Sequence, residues 1–304
     1  MSTAHRQGRE RRLAMTTSMR VLRRAVVGVI TVVVAVWCLF PLWWALINSF
    51  KPANRLYGAQ VLPFVQFQPT LSVWETEWRT FFLDIGFAHG LSNSLFIGVI
   101  AAGLSLVLGL PAALGLVLHR RDQRPVWPFV VLFLLPRVIP PVVLVGPFSM
   151  IMRQVGLADT WLALVIAHTT LALPLSTLLL ASAVSEVPFD LLEAAQLDGQ
   201  TWPGILWQMV MPLIWPALLA AGTLAFALSW NEFLFAVSNN VTQTVTAPVT
   251  VSFLISKDGP EMELVSSHLV LVLLPPLLVV LLAQRYLVRG LTFGAVRDEG
   301  GHPR

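Results

Sequence analysis

The sequence predicts an all-α polytopic membrane protein with six transmembrane helices. Three observations carry that prediction. Of 304 residues, 56% are hydrophobic and 12% charged, with a mean hydropathy of +0.74, whereas soluble domains carry roughly 25% charged residues. The apolar residues gather into six runs, each long enough to cross about 30 Å of hydrocarbon as a helix. The basic residues fall mainly in alternate connections between those runs, as the positive-inside rule requires of a multi-pass protein.

The chain opens with a basic tail, residues 1–24, holding seven arginines, Arg6 to Arg24. Span one follows over Ala25 to about Ile47. It exceeds the short apolar core of a cleaved signal peptide, so it reads as a retained anchor. Residues 51–88 are mixed in character and form an external loop. Span two runs from about Leu91 to Leu118, and His119 to Arg124 make a short basic turn. Span three, Trp127 to Met152, is interrupted by Pro136, Pro140 and Pro141, and span four covers Trp161 to Ala183. A polar stretch, residues 185–211, separates it from span five, Pro212 to about Val237. Residues 238–265 form a second external loop, span six is His268 to Leu287, and residues 289–304 form a tail. This layout puts fourteen Lys and Arg inside and five outside, with Arg137 inside span three and both termini cytoplasmic.

Composition also excludes functions. The pI near 10.0 comes from arginines in membrane flanks, not from an aromatic-interleaved patch, so the lipid bilayer is their partner and nucleic acid is not. The single cysteine, Cys38, has no partner for an internal disulfide. No His-Glu-x-x-His is present, the histidines are scattered, and no metal site is expected. The only lysines, Lys51 and Lys257, follow Phe50 and Ser256, so no phosphate-binding Gly-Lys-Ser/Thr loop exists. The chain is not expected to be an enzyme.

The polar stretch is the informative one. Pro188 suits a helix start, and Asp190 and Glu193 then lie near the positive end of the helix dipole. At about 100° per residue, Leu191, Leu192 and Ala195 share one face. Gly199 follows as a stop that takes positive φ without a Cβ penalty. Thr201 and Pro203 can open a second short helix. An ordinary amphipathic loop would show the same local pattern.

Within it, Glu193, Ala194, Ala195, Gly199 and Pro212 stand at the spacing E-A-A-x3-G-x9-I-x-L-P, with Met209 and Met211 in the two aliphatic positions and Asp198 just before the glycine. This resembles the signature motif of ABC-importer permeases, and the chain is most similar to the carbohydrate permeases of the maltose type. The resemblance implies a MetI-like permease fold in a bacterial or archaeal cytoplasmic membrane. It implies that the helix before Gly199 is a coupling helix docked on a separate ATPase. Partners would be a second, different permease, two ATPase subunits and an external solute-binding protein. ATP and Mg would bind those ATPases and no cofactor this chain.

Other stretches resemble the family less specifically. Arg137 and Pro140, in the broken span three, and Asn231 and Glu232, in Trp230-Asn231-Glu232-Phe233, are candidates for the translocation path, with Trp230 as a stacking face for a sugar. Inter-helix hydrogen bonding and a structural ion pair are the plainer readings. Asn93 and Ser94 read as packing or capping residues, and His168 as a hydrogen-bonded core histidine. The tail's Gly290, Thr292 and Gly294 are candidates for contact with the ATPase. An ion-coupled secondary carrier using Arg137 and Glu232 is the rival function.

Overall fold

The computed structural model describes residues 3–52, 58, 60–83, 85–239, 242–256, 259–260 and 262–292. Nearly all of them are helical, because apolar sequence in a bilayer must satisfy its backbone internally. Packing divides the chain into two units, Met1–Trp74 with Met262–Val270, and Glu75–Glu261 with Leu271–Arg304.

In the first unit, α1 runs unbroken over Thr3–Asn48. The arginine-rich segment is helical and continuous with span one, since no proline precedes Pro41 to stop the helix. Its apolar part, Arg23–Asn48, has a mean hydropathy of 2.6. Residues 23–43 are all exposed on this chain, a surface for lipid or another membrane helix. Past the helix end, Lys51 is wholly buried. Its Nζ donates to Gly58 O at 3.2 Å and lies 4.6 Å from the centroid of the Trp44 ring and 5.8 Å from that of Phe67. Desolvation holds its pKa below the usual lysine range. Lys51→Ala removes both ring contacts, each worth about 0.5–2 kcal/mol. The expected result is faster proteolysis of residues 49–71 in detergent-purified protein, with insertion of α1 unchanged.

The second unit holds α2 (Ser72–Leu83), α3 (Ile85–Arg121), α4 (Trp127–Val138), α5 (Pro141–Gln154), α6 (Trp161–Val184), α7 (Phe189–Leu197) and α8 (Trp202–Ile205). A π-helical turn, Leu206–Val210, leads into α9 (Met211–Leu213), then α10 (Trp215–Trp230), α11 (Leu234–Asn239) and α12 (Ala247–Phe253). A two-residue antiparallel hairpin, β1 (Ile255–Ser256) with β2 (Gly259–Pro260), precedes α13 (Met262–Thr292). The first three residues of α2 and the first nine of α13 belong to the first unit.

Besides α1, two helices extend well beyond their apolar runs. α3 begins six residues before Leu91, and α13 begins six before His268 and continues past Leu287. Polar flanks read as loop are helical because no proline interrupts 70–110 or 261–274. Among the described residues, four helices are long and apolar enough to span alone, and two bent pairs bring the number to six if each pair is one span. Both pairs bend by 88°. At the first, Ile139 (φ −72°, ψ 127°) and Pro140 (φ −55°, ψ 130°) each precede a proline and are pushed to extended geometry. The second lies at Ile214, just before the Trp215-Pro216 start of α10. α10 thus begins at Trp215, three residues after Pro212.

α3, α6 and α10 form the centre of this unit. Their contacts are lined by small residues with no exposed surface, including Ala101, Ala113, Ala163, Ala172, Ala220 and Ala225, as close helix approach in a membrane requires. At Gly98 a Cβ would come within 2.9 Å of the Phe226 ring, so a side chain there would force that ring to shift.

Candidate coupling site and translocation path

α7 carries the motif. Pro188 takes extended geometry (φ −58°, ψ 124°) directly before the helix, and Asp190 sits in its first turn. Leu192 and Ala195 are 2% and 5% exposed. They pack on Ile205, Leu206, Val210 and Ile214 and on the α7-proximal ends of α3, α6 and α10. Leu191 does not share their burial: it is 43% exposed, and Leu197 is 89% exposed. Leu191 lies at the edge of the predicted stripe, where the core stops short of it. Met209 and Met211 are partly buried against the same cluster, which agrees with their place as the motif's apolar positions.

Gly199 adopts φ +81°. Its N–H donates to Gln196 O at 2.9 Å and the Gln200 N–H to Ala195 O at 3.0 Å. These two bonds form a Schellman motif, which ends α7 and satisfies its last carbonyls. Thr201 occupies the N-cap position of α8 in extended geometry but makes no side-chain capping bond, and Pro203 sits in the helix's first turn. The π turn then carries Met211 N–H to Leu206 O. Pro212 cannot donate to Gln208 O, and a π turn just before it accommodates that lost bond. Pro212, Ala194 and Asp198 are exposed.

Glu193 has a partner within the chain. Its Oε1 accepts from the guanidinium of Arg121, the last residue of α3. The same guanidinium lies 4.4 Å from the centroid of the Phe189 ring. Sequence spacing could not pair Arg121 with Glu193, which are 72 positions apart.

The path candidates separate. Arg137 stands exposed in the last turn of α4, and Pro140 stands at the 88° break that follows. Asn231 and Glu232 occupy the break between α10 and α11. Asn231 Nδ2 donates back to Ala227 O at 2.8 Å. The Glu232 carboxylate accepts from Phe235 N–H at 3.1 Å and Ala236 N–H at 3.2 Å, capping α11. It also lies 3.5 Å from His168 Nε2, and His168 Nδ1 is 2.7 Å from Ser229 Oγ. Glu232 is thus committed to the protein's own groups, and His168 is the core histidine the sequence suggests. Trp230 is not an open stacking face: it is 2% exposed, against Phe226, with Nε1 donating to Val272 O at 3.1 Å. Gly290 and Thr292 lie in the last turn of α13; Gly294, Arg55 and Lys257 lie outside the described residues.

At the opposite end of α3 a second polar cluster appears. Asn93 Nδ2 donates to Val245 O at 2.9 Å and Gln243 O at 3.3 Å, and its Oδ1 accepts from Trp161 Nε1 at 3.0 Å. Ser94 Oγ accepts from the first amide of α12, Ala247 N–H, at 2.8 Å. Asp159, at φ +53°, accepts from the Thr242 hydroxyl, Gln243 N–H, and both the N–H and hydroxyl of Thr244. Burial raises its pKa, but these hydrogen bonds outweigh burial and hold it below the ordinary carboxylate value. A cavity of about 430 Å³ opens here between His89, Asn93, Asp159, Trp161 and Gln243. Ser94 caps α12, whereas Asn93 ties the 243–245 backbone and Trp161 to α3. Asp159 escaped the sequence reading, because one acid in a six-residue turn looks like a solvated loop.

Residues 105–293 match the family described as the binding-protein-dependent transport system inner membrane component. The chain belongs to that family. This inner membrane component is 31% identical over 273 residues to the trehalose transport system permease protein SugB of Mycobacterium tuberculosis, covering 89% of this chain and 96% of that one. It is 30% identical over 281 residues to the trehalose/maltose transport system permease protein MalG of Thermococcus litoralis, covering 92% and 99%. Its fold matches a subunit of a bacterial ABC transporter that imports the polysaccharide alginate, with TM-score 0.67 at 21% identity over 86% of this chain and 95% of that one. An inward-facing methionine ABC transporter gives TM-score 0.54 at 20% identity over 67% and 95%. The inner membrane component thus has the all-helical fold of ABC-importer membrane subunits, and the matched segment contains α7, Gly199 and both bent pairs.

Proposed function

We propose that this chain is one permease subunit of an ATP-driven importer for a sugar or related solute. The observation that carries the reading is α7: a short helix anchored by Leu192 and Ala195 to the ends of α3, α6 and α10, with Leu191, Glu193 and Leu197 left exposed. Such an element passes a push from outside directly into three spans. Relatives named for trehalose, trehalose/maltose and sulfoquinovosyl glycerol support the sugar class. An alginate transporter solved with its pentasaccharide-bound periplasmic protein supports an external binding protein as partner.

In this reading the α7 end faces the cytoplasm, as do both termini, and two ATPase subunits bind ATP and Mg there. A second permease covers part of the exposed apolar surface. Closure of the ATPases moves residues 188–210, and the bundle opens towards the binding protein. Arg137, Pro140 and Asn231 line the path, and Glu232 fixes its wall by capping α11. Gly290 and Thr292, in the last turn of α13, are candidates to meet the ATPase, together with Gly294 beyond the described residues. The commitment of Glu232 to two amides argues against its use as the coupling group of an ion-driven carrier.

The test is reconstitution in vesicles with an ATPase, a second permease and a binding protein as partners. Uptake should require both ATP inside and the binding protein outside. Uptake driven by a proton gradient without ATP overturns the proposal in favour of a secondary carrier.

A further inference from the structure

α3 is one helix from Ile85 to Arg121, and each of its ends grips a different segment. Arg121 holds α7 through Glu193 and Phe189. Asn93 and Ser94 hold residues 243–247 through three backbone groups. The two grips are separated by 28 residues, about 42 Å at 1.5 Å per residue. Between them α3 is packed along its length on α6 and α10, with Ile97, Ala101, Leu110 and Ala113 at most 2% exposed.

The grips differ in kind from the rest of the packing. α7 has nine residues, too few to be stable alone, so its position is set by what holds it. Its apolar side is seated on the core. Its polar side is tied to a neighbouring span by Arg121 alone among the described ion pairs. An exposed ion pair by itself is worth little, but a planar guanidinium that both pairs with Glu193 and lies over Phe189 also fixes direction. At the other end, Asn93 is 6% and Ser94 4% exposed. There, a lost partner strands buried backbone groups, at full desolvation cost.

We infer that α3 is the rod through which α7 and the 242–247 segment act on each other, with Arg121 as the positioning residue at one end and Asn93 with Ser94 at the other. The inference rests on the importer reading above, in which one end meets the ATPase and the other the binding protein. Movement of α7 along its axis of attachment is then felt at residues 243–247 without any contact between the two sites.

The experiment uses the full reconstituted complex and reads the ratio of ATP hydrolysis with loaded binding protein to hydrolysis without it. Arg121→Ala and Asn93→Ala should each lower that ratio at least about fivefold, the lower range of measured site-to-site couplings. The double variant should be no worse than the poorer single variant, because both interrupt one rod. If Arg121→Ala keeps the full ratio, or if the double variant loses the product of the two single losses, the rod is refuted. Should Arg121→Ala fail to assemble, Arg121→Gln, which keeps length but drops the charge, carries the same two outcomes. A wild-type complex with no stimulation at all refutes the importer reading instead, and does so before any variant is made.

Discussion

Gly199→Val is expected to detach the ATPase from the complex while leaving the spans inserted. Gly199 sits at φ +81°, and a Cβ there would meet nothing within 4 Å. The cost is therefore not a clash but backbone strain, about 1–2 kcal/mol for a left-handed residue with a side chain. A β-branched residue is a strong outlier in that region. The chain can relieve the strain only by leaving the Schellman geometry, which frees the Ala195 and Gln196 carbonyls and changes the angle at which α8 leaves α7. Because Leu192 and Ala195 are packed on Ile205 and Leu206 across this turn, re-aiming α8 unseats α7. Co-purification of the ATPase with the permease should fall at least about tenfold, which needs only about 1.4 kcal/mol. Gly199→Asn should restore much of it, since asparagine tolerates this conformation. The control is Gly156→Val, which imposes the same strain at φ +73° in the turn before α6, with equally open surroundings. If both valine variants lose the ATPase equally, general destabilisation explains the loss, and α7 is not the docking element.

Asp159→Ala is expected to release residues 242–246. One carboxylate there takes four donors from Thr242, Gln243 and Thr244, and hydrogen bonds to a charged group contribute about 1.5–3 kcal/mol each in favourable cases. Even a net loss of about 3 kcal/mol reduces the ordered population roughly a hundredfold. Hydrogen exchange at Gln243 and Thr244 should accelerate accordingly, and uptake should need far more binding protein to reach half its maximum. Unchanged exchange at both amides would show that Asn93 and Ser94 hold the segment unaided. The pH dependence follows from the depressed carboxyl. A folded pKa below the unfolded one means the stabilisation is complete above the ordinary value of about 4 and is lost as pH falls through the lower folded value. Exchange in this segment should therefore be insensitive to protonation of Asp159 between pH 5 and 8, once the intrinsic pH dependence of exchange is removed.

Much of this protein is written in local sequence. Six apolar runs of spanning length demand helices in a bilayer, whatever they pack against. The break after Val138 follows from two successive prolines, each constraining the residue before it. The turn at Gly199 needs a residue free to take positive φ, and the motif's spacing placed a glycine there. All of these are effects of residues on their immediate neighbours, so they survive without knowledge of the fold.

Only tertiary structure decided the rest. Periodicity grouped Leu191 with Leu192 and Ala195, but the edge of the core lies between them, and one is 43% exposed while another is 2%. Trp230 at a span end looked available to a solute, yet Val272 and Phe226 close over it. Asp159 draws its donors from residues 83 to 85 positions away, and Arg121 meets Glu193 across 72. A charge in a turn has the same sequence signature whether it is solvated or fully bonded. What separates the two is which backbone amides the folded bundle brings within about 3 Å, and that distance is set by the packing of α3, α6 and α10, not by the residues on either side of the charge.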